Sequence, residues 1–170
     1  MEPARRILVI GYGNPGRMDD GLGPACAAAI EARHIPGVDV DVDYQLNVEH
    51  AADAARHAAV VFADAAVEGP APFDWRPIEA RPVEGMGTHT LGPGAVLALA
   101  RDIFRAEPRG YALAIRGRRF SEFGERLSDE ARRHLDAAVE FLDSWLRRIA
   151  AGAETNDAAA ADPNPMETAR

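Results

Sequence analysis

The chain has 170 residues, 47% of them apolar and 27% charged, with a formal net charge of −8 and a single cysteine. That length is one domain able to bury roughly two thirds of its unfolded surface, and the acidic balance argues against a phosphate-backbone partner. One cysteine rules out a disulfide framework or a Cys-rich metal cage, and the short N-terminal apolar run is neither a secretory segment nor a membrane span, so a cytoplasmic protein without nucleic-acid or membrane partners is expected.

Ile7 to Ile10 is an unbroken aliphatic run, the pattern of a strand covered on both faces. It enters a glycine-rich loop, Gly11 to Gly23, that carries Asp19 and Asp20 before a helix around Pro24, Cys26 and Ile30 that runs to about Arg33. Pro36-Gly37 breaks that helix. Val38 to Tyr44 alternates apolar and acidic residues, a half-exposed strand, and Asn47 is placed to cap a short helix with Val48, Ala51, Ala52 and Ala55 on one face. Ala58 to Ala63 reads as a second fully buried strand ending at Asp64. Pro70 to Pro82 is proline-rich around an expected edge strand near Trp75 to Glu79.

Gly85 to Pro93 forms a loop that places His89 at the start of a helix whose apolar stripe is Val96, Leu99, Ala100 and Ile103. Tyr111 to Ile115 is a further core strand, and Arg116 to Leu127 a charged loop. Ser128 caps a long helix with Leu135, Val139, Leu142, Leu146 and Ile149 at spacings of three and four. Strands alternating with helices imply a three-layer α/β/α sandwich with a largely parallel twisted sheet of about five strands, one domain over residues 1–150. Residues 151–170 are poor in large apolar side chains and are expected to be a disordered tail.

Open α/β sheets bind ligands beyond the carboxyl ends of their strands, where right-handed winding can gather Asp20, Asp64 and His89. Two carboxylates and an imidazole suit zinc, nickel, iron or manganese without choosing among them. The competing reading makes Asp19 and Asp20 turn residues at a helix start, and His89 a cap. Asp64 abuts a buried run and is costly there without a partner. His34, His50, His57 and His134 fall on helices or at their ends and read as surface residues, and Cys26 as core.

Gly11-x-Gly-Asn-Pro-x-Arg-x-Asp-Asp-Gly-x-Gly-Pro24, Asp64 in Phe62-Ala-Asp-Ala65 and His89 in Thr88-His-x-Leu-Gly92 together resemble the motifs of the hydrogenase maturation endopeptidases, over about residues 5–148. Gln45 to Ala51 and Leu127-Ser128 fall in order. The resemblance implies an endopeptidase that removes the C-terminal extension of a nickel-iron hydrogenase large-subunit precursor. It further implies that Asp20, Asp64 and His89 recognise nickel brought by the substrate, with no organic cofactor. Gly16, Met18 and His50 depart from residues common in that family. A nickel-dependent binding or scaffold protein for the same large subunit fits the same motifs.

Two further readings carry less. Gly11-Tyr-Gly-Asn-Pro-Gly16 is a literal dinucleotide fingerprint followed by Asp39, Asp41 and Asp43, but Asp19 and Asp20 put negative charge where pyrophosphate would sit. Gly-Asn-Pro-Gly also resembles the start of bacterial peptidyl-tRNA hydrolase, whose basic RNA-binding face and Thr-Arg-His-Asn run are missing here.

Overall fold

The computed structural model describes residues 6–82 and 91–153. The elements in chain order are β1 (Ile7–Tyr12), a 3₁₀ turn (Met18–Gly21), α1 (Leu22–Glu31), β2 (Val38–Asp43), α2 (Glu49–Ala55), β3 (Ala59–Ala66), β4 (Phe73–Ile78), α3 (Pro93–Phe104), β5 (Arg109–Arg116) and α4 (Asp129–Ala150). One five-stranded sheet runs β2-β1-β3-β5-β4; β4 is antiparallel to β5 on the far edge, and every other pairing is parallel.

Strand alternation assigns the two cores. Ile7 and Val9 of β1 and Val61 of β3 point toward α1 and α4, where Leu22, Cys26, Ile30, Leu142 and Leu146 meet them. Leu8, Ile10, Val60 and Phe62 point the other way, onto Ala51 and Ala54 of α2 and Val96, Leu97 and Ala100 of α3. The result is the expected three-layer sandwich. Edge strand β4 is sealed by an aromatic cluster: Trp75 stacks on Tyr111 at 5.2 Å between ring centres, and Trp145 of α4 meets the edge of Tyr111 at 4.8 Å.

Several boundaries differ from the sequence expectation. β3 continues two residues past Asp64, because Ala65 and Ala66 pair with Ile115 and Arg116 of β5, so Asp64 lies within the strand. Helix α1 begins at Leu22, two residues ahead of Pro24, and the 3₁₀ turn before it contains both aspartates of the loop. In α3 the buried residues are Val96, Leu97, Ala98 and Ala100, while Ile103, expected on the apolar stripe, is 56% exposed. Ser128 does cap α4, its hydroxyl accepting the Ala131 N–H at 3.2 Å.

Candidate functional site at the carboxyl ends of the strands

The chain leaves β1 through α1 to β2 on one side and returns through α2 to β3 on the other, so the sheet order reverses between β1 and β3. Such a reversal opens a crevice at the carboxyl ends of the two strands, the general ligand position of open α/β sheets. Two glycines let the backbone close up there. A Cβ on Gly23 at the start of α1 would stand 2.3 Å from the Tyr12 carbonyl oxygen and 2.5 Å from that of Ala63, so only glycine lets the helix sit on the ends of both strands. Gly13 has φ +141°, and a Cβ on it would lie 2.1 Å from the Asp20 carbonyl oxygen, which packs the loop directly against the acidic turn.

Asp64 and Tyr12 occupy this crevice. Register pairs Gly11 with Ala63, so the next residues, Tyr12 and Asp64, are neighbours on the face that also carries Ile10 and Phe62. The Tyr12 hydroxyl donates a hydrogen bond to the Asp64 carboxylate, and the Ala65 N–H donates another at 2.8 Å. Burial pushes the Asp64 carboxyl up to about 6, and the nearby Asp20 charge adds to the rise against those two hydrogen bonds. Burial and the same carboxylate raise the Tyr12 phenol well above its ordinary value. Asp20 comes from the 3₁₀ turn and accepts the Asn14 N–H at 2.8 Å. Two of the three residues picked out from the sequence therefore lie within electrostatic reach of each other; His89 lies outside the described residues.

The adjacent aspartates divide their labour. Asp19 is fully buried and accepts from Arg118 N–H at 2.7 Å, Arg119 N–H at 2.8 Å, and both the N–H and the hydroxyl of Ser128 at 2.7 Å. Burial opposes its ionisation, and these four hydrogen bonds outweigh burial and hold the carboxyl below its ordinary value. The turn-residue reading thus describes Asp19, which staples the β5–α4 loop to the glycine-rich loop, while Asp20 accepts only the Asn14 N–H among the described residues.

His50 is not the surface residue expected. It is 2% exposed; its Nδ1 accepts the Asn47 N–H at 2.9 Å, and its Nε2 lies 3.4 Å from Asp41 and 3.8 Å from Asp43. Asp43 also accepts from Asn47 Nδ2 at 3.0 Å, and its carbonyl accepts the Gly13 N–H at 3.1 Å. The alternation of acids along β2 was the signal available for this buried histidine. His57 pairs with Asp39 at 2.8 Å and His134 Nδ1 lies 2.7 Å from the Arg116 carbonyl, so both serve local structure; His34 is exposed as expected. Asp39 is engaged by Arg6 and His57, and Asp41 and Asp43 by His50 and the amides that follow them, so no acid on β2 is left for a ribose. Cys26 is buried in the core with its thiol pushed up to about 12 by desolvation, which makes it no nucleophile.

Fold and site together define an open, doubly wound α/β protein with a carboxylate pair at its topological switch point. Within that class, the chain resembles the hydrogenase maturation endopeptidases. The hydrogenase maturating endopeptidase HybD from E. coli superposes with a TM-score of 0.70 and 25% identity over 85% of this chain and 93% of its own. The [NiFe] hydrogenase maturation protease HycI from Thermococcus kodakarensis gives 0.67 and 18% over 86% and 95%. A hydrogenase 2 maturation peptidase from a Thaumarchaeota archaeon gives 0.61 and 24% over 83% and 97%, and these last two bear on the fold alone. No protein-family model matches the sequence, and no curated protein matches it.

Proposed function

We propose that the protein is an endopeptidase that recognises the nickel-loaded precursor of a nickel-iron hydrogenase large subunit and removes its C-terminal extension. The observation that carries this reading is the meeting of Asp20 and Asp64 at the switch point of a fold shared with HybD over most of both chains. Two carboxylates in mutual repulsion, one of them desolvated, are relieved by a divalent cation, and their oxygens are suitable donors for nickel.

Among the described residues, no group of three or more histidine, cysteine or carboxylate side chains could hold an ion. A pair of oxygen donors, with His89 as the third ligand, leaves the rest of the coordination shell to other groups. On this reading nickel is cargo, arriving already held by the precursor, whose own ligands complete the shell. Binding then gains its affinity only when the ion is present, which couples processing to correct loading. Tyr12 holds the carboxylate of Asp64, and the step this reading assigns is attack of a water on the scissile carbonyl, its proton passing to Asp20 or Asp64 and then to the amine that leaves as the peptide bond breaks. Among the described residues no helix is long and apolar enough to cross a membrane.

Incubation of the purified protein with nickel-loaded and nickel-free precursor, read by intact mass, tests the reading. The C-terminal peptide is expected to leave the loaded form only, and Asp64→Asn and His89→Ala are expected to fold yet leave the precursor at full length. Cleavage at the wild-type rate in both variants overturns the site assignment. Retention of the loaded precursor by the wild-type protein without any mass loss makes it the non-cleaving binder instead.

A further inference from the structure

The exposed large apolar side chains are not evenly spread. Tyr44 and Val48 follow β2, Val67 follows β3 and Phe123 follows β5, so among the described residues four of the seven exposed at 45% or more lie on loops at the end of the sheet where Asp20 and Asp64 sit. Phe123 is the extreme case, at 84% exposure.

Its loop is not loose. Met18 N–H donates to the Gly124 carbonyl at 2.8 Å, Gly124 N–H to Gly16 at 2.9 Å, and Asp19 N–H to Arg119 at 2.9 Å, while the buried Asp19 carboxylate takes the four further bonds described above. The glycine-rich loop and the β5–α4 loop are thereby sewn into one unit. At its tip the Arg17 guanidinium lies over the Phe123 ring, 5.1 Å from its centre. Among the described residues Arg17 has no carboxylate within salt-bridge distance, and Phe123 covers none of the core.

A solvent-facing aromatic with a stacked arginine contributes little to the stability of this chain, because an exposed cation–π contact is weak and the ring buries none of the core. It is the pairing enriched at the energetic centres of protein interfaces, where a fixed aromatic loses little entropy on contact. We infer that the Arg17–Phe123 tip is the anchor on which the polypeptide substrate docks beside the carboxylate pair, an inference that rests on the endopeptidase reading above. Charge complementarity defines the occupant. The crevice takes a cation while Arg17, three residues away in sequence from Asp20, takes an anion. The matching segment is therefore one that presents its bound metal, an apolar side chain for Phe123 and a carboxylate for Arg17, which is the metal-bearing end of the precursor. The tip acts as a specificity-determining contact and leaves the chemical step to the carboxylates.

The test is steady-state cleavage of nickel-loaded precursor by the full chain and by Phe123→Ala, Arg17→Gln and Phe123→Trp, with Ile103→Ser on α3 as the control. Loss of Phe123 or Arg17 is expected to raise KM about tenfold with kcat within about twofold of wild type, the size of a single interface anchor. Phe123→Trp restores the stacked arginine and is expected to return KM toward wild type. Melting temperatures should move little, because an exposed ring leaves no cavity and its contact with Arg17 faces solvent. A KM unchanged in both Phe123→Ala and Arg17→Gln, with wild-type turnover intact, overturns the docking inference alone. A wild-type protein that neither binds nor cleaves the precursor overturns the endopeptidase reading and this inference with it.

Discussion

Asp64 is in a position that folding alone would not choose. Its carboxyl is pushed up to about 6 from an ordinary 3.8, so between those values the folded chain binds more protons than the unfolded one and stability falls as pH rises. The full penalty is present above about pH 6 and absent below about pH 4. Asp64→Asn keeps an acceptor for Tyr12 and Ala65 and removes the charge. The variant is expected to be more stable than wild type at pH 7 to 8, by at most on the order of 3 kcal/mol, with the two converging at pH 4. Thermal melts across that range check this, and a variant less stable at pH 8 would refute it. A nickel salt is expected to raise the melting temperature of the wild type and not that of Asp64→Asn. This strain was partly legible in the sequence, because an acid directly after Val60-Val-Phe-Ala63 is desolvated wherever the strand stops. The role of Tyr12 was not: it depends on cross-strand register, which single-strand patterns do not carry.

At the scale of elements, the contact of α1 with the ends of β1 and β3 decides whether the crevice exists. Gly23 makes that contact against two backbone carbonyls that cannot move independently of the sheet. Gly23→Ala is therefore expected to lift the helix start, destabilise the protein by roughly 2 kcal/mol or more, and cut precursor cleavage more than its stability loss explains. Chemical denaturation together with activity measured well below the melting temperature separates the two effects, and full activity in a destabilised variant would place the crevice elsewhere. Element types were readable because each carries its own period: unbroken β-branched runs for the buried strands, three-and-four spacing and Ser128 for α4. The orientation of α2 was not. Its alanines offer no strong apolar side, and the helix turns His50 inward with Ala51 and Ala54, toward the acids of β2, while Val48 is left 58% exposed.

On the scale of the whole molecule, one sheet separates two cores, and the carboxylate pair is placed by β3 and by the 3₁₀ turn after β1, both of which are strands that contribute to both cores. Leu142 on the α4 side and Val96 on the α3 side are each fully buried and lie in different clusters on the two faces of the sheet. If the sheet transmits the stability of each layer to the other, the molecule unfolds as a single cooperative unit. Leu142→Ala should then cost about 2–5 kcal/mol and Val96→Ala about 1–3 kcal/mol, by lost burial and residual cavity. The double variant should lose the sum to within about 0.5 kcal/mol, because the sites are far apart and unlinked. Both single variants should melt in one transition whether followed by far-ultraviolet circular dichroism or by fluorescence of Trp75 and Trp145, which report on the α4 side alone. Two separated transitions in Val96→Ala would mean that the layers come apart independently. The α2/α3 face, which carries Tyr12 and Asp64, could then open without the rest, and the geometry of the crevice would depend on local breathing rather than on the rigidity of the whole fold.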